Sequence, residues 1–283
     1  MFYLARFIIF IAIIGSFGIG TARAADAFLG NLYNDSTLSF GKPAPTSSLP
    51  SDKIRLFVWN IHKAEDQRLS QDFGDLTFGA DLALFQEAVS RPDFIQSLVA
   101  ANTDFEWTMA KSFQLFDFSF TGVATAYRVK PLGEDVIISK VTEPVTETPK
   151  TILLSVFSIN GTYDTLLVAN IHGINFVGLE AYKVQMNQLA EKLRQHQGPM
   201  IVAGDFNTWE PARLAYVKSL FEPLGLSQVN TPVAGMLDLD HVFLRGMKAN
   251  FIFDLSHIDS SDHAPLMVDL IFENNKVMMY EGN

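Results

Sequence analysis

Met200-Ile201-Val202-Ala203-Gly204-Asp205-Phe206-Asn207 is an apolar run of strand length that empties into a turn bearing a carboxylate and a carboxamide. Its first four residues are apolar without alternation, which marks a strand covered on both faces rather than one lying on a surface. Packing gains nothing from Asp and Asn at the mouth of such a strand. Their placement there points to chemistry.

The same arrangement recurs along the chain. Residues 54–59 run into Asn60-Ile61-His62-Lys63, 82–85 into Gln86-Glu87, 166–169 into Asn170-Ile171-His172, and 237–239 into Asp240-His241; Ser261-Asp262-His263 precedes the last apolar run, 266–271. Further strand-length runs occupy 123–127, 152–159 and 242–244. Asn160-Gly161, both tolerant of positive φ, predicts an antiparallel hairpin between two of them. Helices are expected over 92–102, with Pro92 in its first turn, over 179–196, with apolar residues at 179, 182, 186, 189, 190 and 193, and over 210–221. Doubly covered strands, hairpins and interleaved helices predict an α/β sandwich: two mixed, mainly antiparallel sheets packed face to face, with helices outside.

At 283 residues and 48% hydrophobic content the chain supports one large core. The domain is expected over residues 53–273, with a tail at 274–283. Residues 25–52, rich in Gly, Asn, Ser and Pro, read as a mobile leader partly packed on it. Arg6, the apolar run 7–20 and the small residues Ala22 and Ala24 describe a signal peptide over residues 1–24, and so export to the periplasm or beyond. Left uncleaved, the segment would be a membrane anchor.

The formal charge is −10, and the 19 basic and 31 acidic residues after position 24 give −12. Such a surface has no general attraction for a phosphate backbone, although a bound divalent cation would neutralise phosphates locally. Without cysteine, disulfides and thiol catalysis are excluded.

Each polar residue has a plain structural explanation on its own: Asn60 capping a turn, Glu87 capping a helix, 204–207 an ordinary turn, His172 a satisfied buried histidine. Together they repeat at one end of the sheets. Carboxylates and carboxamides without thiols suit a hard cation, Mg²⁺ or Mn²⁺, and two histidines able to pair with carboxylates can move protons or support charge on a phosphate oxygen. This is the inventory of metal-assisted phosphoester hydrolysis.

In order and wording, Trp59-Asn60-Ile61, Gln86-Glu87, Gly122-Val123-Ala124, Asn170-Ile171-His172, Gly204-Asp205-Phe206-Asn207, Leu239-Asp240-His241-Val242-Phe243 and Ser261-Asp262-His263 resemble the endonuclease/exonuclease/phosphatase superfamily, the fold of deoxyribonuclease I. Within it, the wording is similar to the bacterial YafD-like branch. The resemblance implies a four-layer sandwich with Glu87 as the main metal ligand, Asn60 nearby and Asp262 completing the shell. Asp240 would orient His263 as general base, Asp205 would align the water or a second cation, Asn207 would donate to a phosphate oxygen, and His172 would bind the scissile phosphate. Water would attack phosphorus in line.

His62 stands where AP endonucleases carry an acidic residue, which weakens a DNA-repair reading. The expected activity is that of a monomeric, exported nuclease. A phospholipid or inositol-phosphate phosphodiesterase, a phosphatase, and a catalytically silent binding module are the alternatives. The aromatic run Ser112-Phe113-Gln114-Leu115-Phe116-Asp117-Phe118-Ser119-Phe120 could stack bases or enter a lipid interface, but is read first as a buried strand with alternating Phe.

Overall fold

A computed structural model describes residues 36–231 and 239–273. The signal-peptide segment, residues 25–35 of the leader, the run 237–238 and the tail lie outside the described residues.

Two sheets form the centre. The seven-stranded sheet has the order β1 (Thr37–Gly41), β4 (Glu106–Gln114), β5 (Phe120–Tyr127), β3 (Leu82–Val89), β2 (Ile54–Asn60), β13 (Leu266–Phe272), β12 (Met247–Phe253). The six-stranded sheet has the order β10 (Ser227–Gln228), β11 (Asp240–Arg245), β9 (Met200–Asp205), β8 (Thr165–His172), β7 (Thr151–Ser158), β6 (Gly133–Ile138). Among these strands only β2 with β3 and β8 with β9 run parallel; the other strand pairs are antiparallel. Helices α1 (Leu69–Leu76) and α2 (Pro92–Ala101) cover the first sheet, and α3 (Leu179–Leu193) and α4 (Pro211–Phe221) cover the second.

Side-chain alternation explains the layers. On β2, Leu56 and Val58 enter the core between the sheets, whereas Phe57 and Trp59 pack outward with Phe73 of α1 and Leu98 of α2. On β9, Ile201 and Ala203 point into the same central core, and Met200 and Val202 pack outward with Met186 and Leu189 of α3. Strands with both faces buried have to read as continuous apolar runs. Pro92 and Pro211 open α2 and α4, where a missing amide N–H is harmless.

The hairpin expected at Asn160-Gly161 joins β7 to β8, with Gly161 at φ 71°. Asn170 on β8 fastens one sheet to the other. Its amide accepts from Gln86 Nε2 at 2.7 Å and donates to the Ala124 carbonyl at 3.0 Å, across a largely apolar core.

Two expectations change. The leader is part of the domain from Thr37 onward: β1 pairs with β4 as an edge strand, and Leu49 is fully buried beside Ile159. The aromatic run is not one buried strand. It is the β4–β5 hairpin, and its tip carries Phe116 and Phe118 almost fully exposed, because the chain reverses over residues 115–119 with Phe118 in the left-handed region.

Candidate active site

Strand direction gathers the polar residues. His172 ends β8 and Asp205 ends the parallel neighbour β9; Asp240 begins the antiparallel β11 and lies directly opposite Asp205. Asp240 is therefore at the start of a strand, not at the end expected from the run 237–239. Because β11 runs backwards, its start lies at the same edge. Asn60 ends β2, and Ser261 to His263 arrive just before β13, antiparallel to it.

Glu87 sits within β3 rather than after it. The ladder with β5 slips between Phe85 and Ala88, and Glu87 takes φ 53°, so a β-bulge turns its side chain out of the regular pleat. Gly204 solves a different steric problem beside Asp205. At φ 137° it brings β9 close to β8, and a Cβ there would stand 2.2 Å from the Ile171 carbonyl oxygen.

Asp240 and His263 form a close pair, with His263 Nδ1–H donating to Asp240 Oδ2 at 2.6 Å. Burial disfavours the imidazolium, but the charge and hydrogen bond of Asp240, aided by Asp205 and Asp262, raise the His263 pKa to about 10. The loop is pinned to β2. Trp59 Nε1–H donates to the His263 carbonyl at 2.8 Å, and Ser261 Oγ–H to the Asn60 carbonyl at 2.7 Å. The other oxygen of Asp240, Oδ1, is buried without a hydrogen-bond partner among the described residues.

Asp205 is buried between these groups. Asn60 Nδ2–H donates to its Oδ2 at 3.0 Å, the Asn207 amide to its Oδ1 at 2.7 Å, and His172 Nε2 stands 3.6 Å from Oδ2. Burial, with the Asp240 charge second, raises Asp205 well above the ordinary carboxylate range. His172 moves the other way. Burial and then Lys150 hold it neutral, against the opposing pull of Glu87 4.0 Å away.

Burial alone would raise Glu87, yet His172, Lys63 and Lys150 together lower it to about 2. A neutral His172 contributes no charge at neutral pH, so the lysines hold Glu87 ionised there. Lys63 pairs directly with Glu87 Oε2, while Lys150 pairs with Glu143 at 3.3 Å.

Several of the expected residues are already engaged within the protein. The side-chain amide of Asn207 donates to the Gly173 carbonyl at 2.9 Å and to Asp205 at 3.3 Å, and so braces the Asp205 carboxylate. The Asn60 side chain holds Asp205 and accepts from the His62 amide at 3.2 Å. Asp262 is more than half exposed; Ser261 Oγ–H donates to its Oδ1 at 3.3 Å and His62 Nδ1 stands 3.9 Å away. Residues not singled out in the sequence support the site: Gln185 donates to the His172 carbonyl at 3.1 Å, and Arg213, fully buried, donates to the carbonyls of Asn207 and Ile174. Their only sequence signal was a polar residue on the inner face of a helix.

Across residues 57–263 the sequence matches the Endonuclease/Exonuclease/phosphatase family. The chain belongs to that family. Its members are phosphoric ester hydrolases, generally dependent on a divalent metal, and this chain is an enzyme of that class. It is 33% identical over 234 residues, 79% of each chain, to a UPF0294 protein of Vibrio vulnificus. In fold it is similar to the human Nocturnin catalytic domain with bound sulfate, at TM-score 0.61 and 19% identity over 80% of this chain and 96% of that one. It is also similar to D. rerio TDP2 complexed with a single-strand DNA product, at TM-score 0.56 and 18% identity over 77% and 98%.

A divalent cation fits this donor set in one way. Among the described residues no three His, Asp or Glu side chains converge into a cage. Glu87, ionised and already holding a cationic group, instead suits an ion that keeps most of its waters and leans on one carboxylate.

Proposed function

We propose that this family member is an exported, monomeric phosphodiesterase acting on nucleic acid, with Mg²⁺ or Mn²⁺ held at Glu87. When bound, the ion would supply positive charge to a phosphate oxygen. Water attacks phosphorus in line, without a covalent enzyme intermediate.

One observation carries this reading. Neutral His172, Asp205 and the Asp240–His263 pair stand in a row across three adjacent strand edges, with Glu87 4.0 Å from His172. His172 donates one hydrogen bond to the scissile phosphate. Asp205, with its pKa raised, accepts a proton from water more readily than an ordinary aspartate. His263, expected to be the base, carries its proton at neutral pH and is better placed as donor to the leaving oxygen. Lys63 and Lys150 put positive charge beside the phosphate of an otherwise acidic protein.

The bound sulfate of Nocturnin and the DNA product of TDP2 support anion and nucleic-acid recognition by this fold. The test is purified protein, with and without Mg²⁺, on DNA, RNA, bis-p-nitrophenyl phosphate, sphingomyelin and phosphoinositides, beside Glu87→Ala and His263→Ala. Metal-dependent phosphodiester cleavage lost in both variants is expected. Inactivity on every phosphoester would overturn the reading, and N-terminal sequencing of the periplasmic fraction tests export.

A second reading has its own observation. Phe116 and Phe118 at the β4–β5 tip, beyond the Val89–Thr121 pair at the same sheet end as Glu87, favour a lipid phosphodiester substrate. Cleavage of sphingomyelin in preference to DNA would select it.

A further inference from the structure

Lys63 is held over Glu87 by a turn built at a cost. His62, Lys63 and Ala64, none of them glycine, all adopt left-handed backbone, with φ of 45°, 54° and 54°. Each such residue is strained and persists only where its surroundings enforce it. The enforcement is visible here: Arg91 Nη2 donates to the Lys63 carbonyl at 3.1 Å and the Ala64 carbonyl at 3.2 Å, and the Ile61 amide donates to Gln86 on β3 at 3.0 Å. Glu87, the recipient, is itself left-handed in its bulge. Strain on both sides of the contact brings one ammonium onto one carboxylate.

The other nearby cation does not share this role. Lys150 acts on Glu87 through space but is committed to Glu143 at 3.3 Å, whereas Lys63 bonds to Glu87 itself. Lys63 occupies Oε2, one of the two Glu87 oxygens that a divalent cation anchored there could use. Its side chain is one-third exposed, so it can swing to solvent on its flexible stem while the clamped backbone stays in place.

We propose that Lys63 is a tethered counter-ion that competes with the divalent cation for Glu87 and thereby weakens metal affinity. The proposal rests on Glu87 being the metal anchor. Without a cation, the lysine keeps the recessed carboxylate ionised and paired; with one, the ammonium has to leave. The enzyme then loads only above a threshold of free metal, set by the strength of this ion pair.

The test is Mn²⁺ binding to the full-length chain, followed by loss of the free-ion electron paramagnetic resonance signal, in wild type, Lys63→Met, Lys63→Arg and Glu87→Gln. Removing the ammonium is expected to tighten Mn²⁺ binding on the order of tenfold, the scale of one charge-assisted hydrogen bond no longer broken. Lys63→Arg, which keeps the charge, should stay near wild type, and Glu87→Gln should bind much more weakly. Unchanged or weaker binding in Lys63→Met, with Glu87→Gln impaired, overturns the counter-ion and leaves the metal anchor standing. Equal Mn²⁺ binding by wild type and Glu87→Gln, or none by either, overturns both.

Discussion

Replacing Asp240 with Asn isolates the electrostatics of the site with a change of one atom. In the native protein His263 is held at about 10 although burial opposes its charge, and Asp240 is the largest of the influences that raise it. The rise from 6.5 to about 10 corresponds to roughly 5 kcal/mol between protonated and neutral states, shared among Asp240, Asp205 and Asp262. With the Asp240 charge gone, burial dominates and the histidine should titrate near or below its ordinary 6.5. Histidine ring resonances followed by NMR from pH 5 to pH 10 report this directly. Native His263 should stay protonated until the alkaline end, and the variant should titrate near neutrality.

Stability follows with a definite sign. A histidine whose folded pKa exceeds its unfolded value stabilises the fold fully below 6.5 and loses that contribution as pH rises toward about 10. Urea unfolding of the native protein should therefore weaken between about pH 6.5 and 10, and the slope should flatten in Asp240→Asn. Glu87 acts in the opposite direction, its contribution present above 4.5 and lost as pH falls toward about 2. A native His263 that titrates near 6.5 would refute the pairing as the dominant influence.

Gly204→Ala should cost about 2–4 kcal/mol in urea unfolding, because the added carbon meets the Ile171 carbonyl oxygen in a backbone conformation that alanine avoids; an unchanged midpoint would refute the close approach of β8 and β9. Arg213→Met should cost about 2–4 kcal/mol by leaving the Ile174, Val177 and Asn207 carbonyls without their donor. It should also lower activity, since Asn207 braces Asp205. Loss of stability without loss of activity would separate the loop from the site.

Much of the architecture was legible because burial leaves its mark on each strand separately. Residues 54–59 and 200–203 are apolar on both faces, and two sheets between helix layers are what such strands require. β1 escaped notice because an edge strand needs only one partner: Thr37–Gly41 draws its order from β4, about seventy residues along the chain, not from its own composition. The exposed tip at Phe116 and Phe118 was hidden for a related reason, since alternating Phe residues look alike in a strand and across a tight reversal.

The sequence alone determined which residue types stand at the strand edges, and so the family to which the chain belongs. Tertiary structure decided what each is free to do. It placed Asp240 at a strand start opposite Asp205, turned Glu87 out on a bulge, engaged the side-chain amide of Asn207 with Gly173 and Asp205, and laid Lys63 on Glu87. The physical reason is that residue type sets the hydrogen bonds and charge a side chain can offer, whereas distance and burial between segments far apart in sequence set which of these are already taken.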